Sequence, residues 1–135
     1  MKTATLIREA KKRYPFLKNV WIYIEKGGGV TRFTPASELG GSDHIEIYLG
    51  SIRKNWNTPR FVRRLGRHER FGDFALVVLL HEICHVQQGY KAYIEAYREI
   101  DDLDSQSHDN HWTERAADGW ARKEFKRWTK KERIQ

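Results

Sequence analysis

His81-Glu82-Ile83-Cys84-His85 sets two imidazoles four residues apart with a carboxylate beside the first. On an α-helix residues i and i+4 share a face. Both rings would then point at one spot, where a zinc ion could sit about 2 Å from each ligating nitrogen. Glu82, displaced around the helix, would reach a water held by that ion and take its proton, which is the layout of a hydrolase. With 6 His and 11 Glu in 135 residues, a random match to this spacing is expected only about 0.02 times.

The residues around the motif say what must hold it. Val77, Val78, Leu79 and Leu80 precede it, while Ile83, Cys84 and Val86 fill and follow it. This predicts an active-site helix over 73–89, with Asp73 at its start and Gly89 past its end. Three polar groups within five positions of so apolar a helix would be costly without something to compensate them, and a cation does so. Cys84 is the single cysteine, so no intrachain disulfide forms; on this helix it reads as packing rather than as a nucleophile.

A catalytic zinc keeps three protein ligands and leaves a fourth position open, so one more donor is needed. Ala117, Trp120, Ala121, Glu124 and Trp128 recur at helical steps and predict a helix over 113–129. Glu114, Ala117, Asp118 and Ala121 share one of its faces. The alanines would let it approach the motif helix, Glu114 would reach the metal, and Asp118 would accept the second N–H of a ligating imidazole. His108 and His111, shortly before Glu114, are the rival third ligands.

His81-Glu82-x-x-His85 followed by Glu114-x-x-Ala117-Asp118 resembles the gluzincin metallopeptidases, and the short chain is similar to the single-domain minigluzincins. The resemblance implies a zincin-like domain with one catalytic zinc ion bound by His81, His85 and Glu114. It also implies Glu82 as general base, Asp118 as support for a zinc histidine, and Ile45 to Leu49 as the edge strand that receives an extended peptide. Residues 127–135 would be placed to cover the cleft, as terminal segments do in the smallest relatives. Two features depart from the pattern: Thr113 stands where an asparagine often precedes the glutamate, and no counterpart of the carboxy-terminal transition-state donor is identifiable. Tyr90, Tyr93, Tyr97, His108, His111 and Arg115 are the candidates for that task. With a histidine as third ligand, the chain would instead resemble the Spartan-type proteases, which act on proteins crosslinked to DNA.

The remaining elements predict an α+β domain spanning 1–135. An amphipathic helix over 1–14 comes first. A sheet follows over 20–50: Val20 to Ile24 and Val30 to Thr34 read as a hairpin across Gly27-Gly28-Gly29, with Ile45 to Leu49 as a third strand. A small mixed sheet of three to four strands would thus pack on the active-site helix, and a C-terminal helix would supply the third ligand. A short helical stretch around Phe61, Val62 and Leu65 precedes the motif helix. A further helix is predicted from Lys91 to Leu103, then a loop from Asp104 to Asn110. His44 and His68 read as surface residues.

The chain carries 25 Lys and Arg against 18 Asp and Glu, a net charge of +7. The excess gathers in two stretches, Arg53 to Arg70 and Arg122 to Arg133, with Trp56, Trp120 and Trp128 interleaved. A nucleic-acid-binding module on a zincin scaffold is therefore a second reading. Acidic residues including Glu95, Glu99 and Asp109 could pair with these cations within the molecule instead. Met1 to Tyr14 lacks the apolar core of a secretion signal, and no apolar run has the length of a membrane span. A cytoplasmic protein acting on a peptide or protein substrate is expected.

Overall fold

The structure, a computed structural model, describes residues 2–36, 41–101 and 104–134, the last five by backbone alone. Helix α1 (Thr3–Arg13) ends as Pro15 opens a 3-10 turn, Pro15–Leu17. Strands β1 (Trp21–Glu25), β2 (Arg32–Thr34) and β3 (His44–Tyr48) follow, then α2 (Leu49–Arg53) and α3 (Pro59–Leu65). Helix α4 (Phe71–Glu99) carries the motif, α5 (Ser105–Asn110) is short, and α6 (Trp112–Ile134) runs to the end of the described chain. This is a mixed α+β architecture with a three-stranded mixed sheet.

The strand order is β1-β3-β2, so the hairpin expected between Val20–Ile24 and Val30–Thr34 does not form. β3 lies between the two, parallel to β1 (Ile22 opposite Ile45, Ile24 opposite Ile47) and antiparallel to β2 (Phe33 opposite Ile45). Burial explains the choice: in the centre of the sheet Ile45 and Ile47 lose essentially all contact with water. The glycine run is a crossover around the end of β3. Gly50 N–H donates to the carbonyls of Lys26 and Gly27, 3.1 Å each, and a Cβ at Gly50 would stand 2.9 Å from Gly27 O. Ile45 to Leu49 is consequently not an edge strand, and its last residue already begins α2.

One core cluster joins these elements, from Ala10 and Leu17 through Ile45 and Ile47 to Phe74, Leu79, Leu80, Ile83 and Trp128. The motif helix begins at Phe71, so Asp73 sits in its first turn, where a carboxylate suits the helix dipole, and Arg70 occupies the cap position without a side-chain capping bond. At Gly89 the backbone turns to φ 89°, ψ −178°, a conformation open to glycine, and the helix resumes beyond it to Glu99. The helix predicted to Leu103 is this second part, and Leu103 itself lies outside the described residues. Asp104 to Asn110 is helical rather than a loop, nucleated by Asp104, whose carboxylate accepts from Gln106 N–H at 2.9 Å. His68 is buried, not superficial, with its ring edge-on to Phe125 at 4.9 Å. No helix among the described residues is long and apolar enough to cross a membrane.

Candidate metal centre

The first part of α4 is apolar on almost every side: Phe74, Val77, Leu79, Leu80 and Ile83 have no exposure. That burial carries His81 and Glu82 inward with it, at 7% and 6% exposure. α6 lies along this helix with Ala117 and Ala121 wholly buried on the face that bears Glu114 and Asp118. Small side chains there remove the steric obstacle to close helix approach, and Glu114 reaches the imidazole pair.

The structure brings His81, His85 and Glu114 together. The two Nε2 atoms are 3.0 Å apart, Glu114 Oε2 is 2.5 Å from His85 Nε2, and Glu114 Oε1 is 3.3 Å from His81 Nε2. Ligands at about 2.0 Å from a tetrahedral zinc stand about 3.3 Å from one another. The separations are of that order, the imidazole pair and the approach of Glu114 Oε2 to His85 being shorter.

Hydrogen bonds fix which nitrogens face inward. Gln88 Nε2 donates to the Thr113 carbonyl at 2.8 Å, which can only accept, so Gln88 Oε1 is the atom 2.9 Å from His85 Nδ1. His85 therefore donates from Nδ1 to Gln88, which turns its Nε2 toward His81 and Glu114. His81 Nδ1 lies 2.8 Å from Asp118 Oδ1. That contact is an ion-pair approach and not an aligned hydrogen bond, since the buried Nδ1 has no hydrogen-bond partner among the described residues. The ring is thereby turned with Nε2 toward His85 and Glu114. Two imidazole nitrogens and a carboxylate thus crowd one point, held together by shared protons that a cation could replace. The donor set, the buried imidazoles and the separations fit zinc.

Burial alone would lower His81, but the Asp118 and Glu114 carboxylates beside it override this and hold the imidazole up at about 10, so a cation entering here displaces a proton. Burial would raise Glu114, yet bonds from His108, His81 and His85 drive it far below the usual carboxylate range. Glu82 is pushed up by burial, tempered by the two imidazoles, and makes no hydrogen bond or ion pair among the described residues. Burial, then the charge of Glu114, raises Cys84 to about 11, in keeping with an inert thiol.

The rival ligands lie elsewhere. His108 Nε2 is 2.8 Å from Glu114 Oε1 and its Nδ1 is 2.9 Å from Asp109, so it touches the carboxylate and not the imidazole pair. His111 faces Thr113 Oγ1 at 2.8 Å and Glu99 at 3.3 Å, in a surface group with Glu95. Two contributors were not singled out in sequence: Gln88, one turn beyond His85, and Arg64. The first could have been found by its i+3 spacing. The second was read as one cation among many.

A cleft of roughly 410 Å³ opens onto the centre and exposes His81, Glu82, His85 and Glu114 to it. Arg32 and Phe33 of β2 form one wall, and Tyr93, Tyr97 and Ile100 another. Of the candidate transition-state donors, Tyr93, Tyr97 and His108 line it; Tyr90, His111 and Arg115 do not. Residues 127–134 continue α6, and residues 127–129 do not line the cleft; Gln135 lies outside the described residues. Compared with known proteins, no family model, no curated protein and no solved structure matches the chain.

Proposed function

We propose that this chain is a zinc-dependent endopeptidase of the gluzincin type, with a zincin-like domain. The carrying observation is the convergence of the inward nitrogens of His81 and His85 with the Glu114 carboxylate beside the unpartnered carboxylate of Glu82. When bound, zinc supplies a Lewis acid that polarises water and carbonyl oxygen. Glu82, kept basic enough by burial and aimed into the cleft, removes a proton from the attacking water. It then delivers that proton to the departing amine, so hydrolysis proceeds without a covalent intermediate. His108, Tyr93 and Tyr97 are the donors placed to meet the developing oxyanion. The edge that borders the cleft is β2, so an extended peptide would add alongside 32–34 rather than alongside β3.

The basic stretches support a nucleic-acid reading less well. Arg60 and Arg64 are engaged with Asp109, Trp128 is fully buried, and Trp56 and Trp120 pack against the core. The proposal is tested by elemental analysis of the purified chain beside its Glu82→Gln variant, with a casein or peptide cleavage assay. Metal in both, with cleavage reduced about 10²–10⁴-fold in the variant, is the expected outcome. Equal cleavage by the two would refute the assignment.

A further inference from the structure

We infer that Arg64 is a positioning residue for the His81, His85 and Glu114 centre: its guanidinium decides which Glu114 oxygen meets the cation and holds Asp118 against His81. The inference rests on the zinc reading above and extends it to α3.

Arg64 belongs to the basic stretch that precedes the motif helix, yet its side chain is only 9% exposed. A guanidinium so removed from water must be compensated by hydrogen-bonded anions. It finds three. Nε and Nη2 grip the two oxygens of Asp118 at 2.9 and 3.2 Å, Nη2 also donates to Glu114 Oε1 at 3.3 Å, and Nη1 lies 3.3 Å from Asp109. Both carboxylates that touch the imidazoles are therefore tied to one planar fork. Such a grip is specific to arginine, because a lysine ammonium is a point charge without fixed donor directions.

The consequence is directional. A carboxylate can hold a cation through one oxygen or two. Arg64 donates to Glu114 Oε1 and His108 Nε2 lies 2.8 Å from the same oxygen, so Oε2, the oxygen beside His85, is the one left for the ion. The two-pronged grip on Asp118 likewise keeps Oδ1 at 2.8 Å from His81 Nδ1, which holds that ring with Nε2 inward. Arg60 provides an internal control. It also ties α3 to a neighbouring helix, α5, with two bonds of 2.7 Å to Asp109, but makes no bond to Glu114 or Asp118.

The test titrates zinc, and cobalt(II) as a spectroscopic probe, into the full chain and its Arg64→Lys, Arg64→Gln and Arg60→Met variants, with thermal melts to verify folding. Both Arg64 variants are expected to bind zinc about 10–100-fold more weakly, with altered cobalt absorption bands as Glu114 changes its mode of binding. Arg60→Met should stay within about threefold of the unmodified chain with unchanged bands, since Arg60 bonds to Asp109 and to neither carboxylate beside the imidazoles. Unaltered affinity and bands in either folded Arg64 variant overturn the inference, and so does an equal loss in Arg60→Met, which would make Arg64 a mere tether. Failure of the unmodified chain to bind either ion overturns the zinc reading and this inference with it. Retention by Arg64→Lys and Arg64→Gln overturns the inference alone.

Discussion

Replacing Glu114 by Gln keeps the shape of the side chain while removing the charge on which His81, His85, His108 and Arg64 converge. The informative quantity is the rise in melting temperature that zinc produces, because it is a difference within each protein and is independent of the variant's own metal-free stability. An ion present at 100 times its Kd stabilises the folded state by about 2.7 kcal/mol. For a chain of 135 residues, an unfolding entropy of about 2.1 cal/mol/K per residue turns this into a rise of about 10 °C. Outer hydrogen-bond partners of metal ligands typically contribute about 10–100-fold in affinity, so losing a direct ligand should cost about 100-fold or more. At the same zinc concentration about 0.4 kcal/mol remains, a rise of about 1–2 °C. The assay is a thermal melt followed by circular dichroism with and without zinc. A full 10 °C rise in Glu114→Gln would refute the reasoning. Loss of the rise in His111→Ala, whose ring faces Glu99 in the structure, would hand the ligand role to that histidine.

Ala117→Leu inserts three heavy atoms where α6 meets α4 with no exposure; urea titration should show a loss of about 1–3 kcal/mol, and the zinc-induced rise should shrink as the helices part. Tyr14→Phe removes the hydroxyl that accepts from Trp128 Nε1 at 3.0 Å and donates to Glu124 at 2.9 Å, and should cost about 1–3 kcal/mol at neutral pH. The same hydroxyl is raised by burial to about 12 in the folded chain against about 10 when unfolded. It therefore contributes fully below pH 10, and its contribution is lost as pH rises from about 10 to 12. Urea titrations of the two proteins across that range should converge; a constant gap would contradict the burial argument.

The centre was legible in sequence because its parts are local repeats of helical geometry. His81 and His85 share a face by spacing alone, and Glu114, Ala117, Asp118 and Ala121 announce a second face by the same rule. Strand order was not legible. Three consecutive glycines between two alternating stretches favour a hairpin locally, and only the burial of Ile45 and Ile47 in the sheet centre, a non-local gain, places β3 between them. α5 has no apolar periodicity to read, since all six residues of Ser105–Asn110 are polar, and its one local signal is the cap at Asp104. Arg64 could not be told from its charged neighbours, because the three carboxylates that engage it lie 45 to 54 positions later in the chain.

The hydroxyl of Tyr14 meets Glu124 and Trp128 in the second half of α6, the helix whose first turn bears Glu114. Arg13 stacks over the indole of Trp128 at 4.1 Å, closing the same joint from above. Residues 2–14, none of which lines the cleft, thereby clamp the second half of the rod whose first turns carry Glu114 and Asp118. Trimming residues 2–14 is expected to let that rod pivot and so to raise the zinc concentration needed for half occupancy, although no deleted residue borders the cleft.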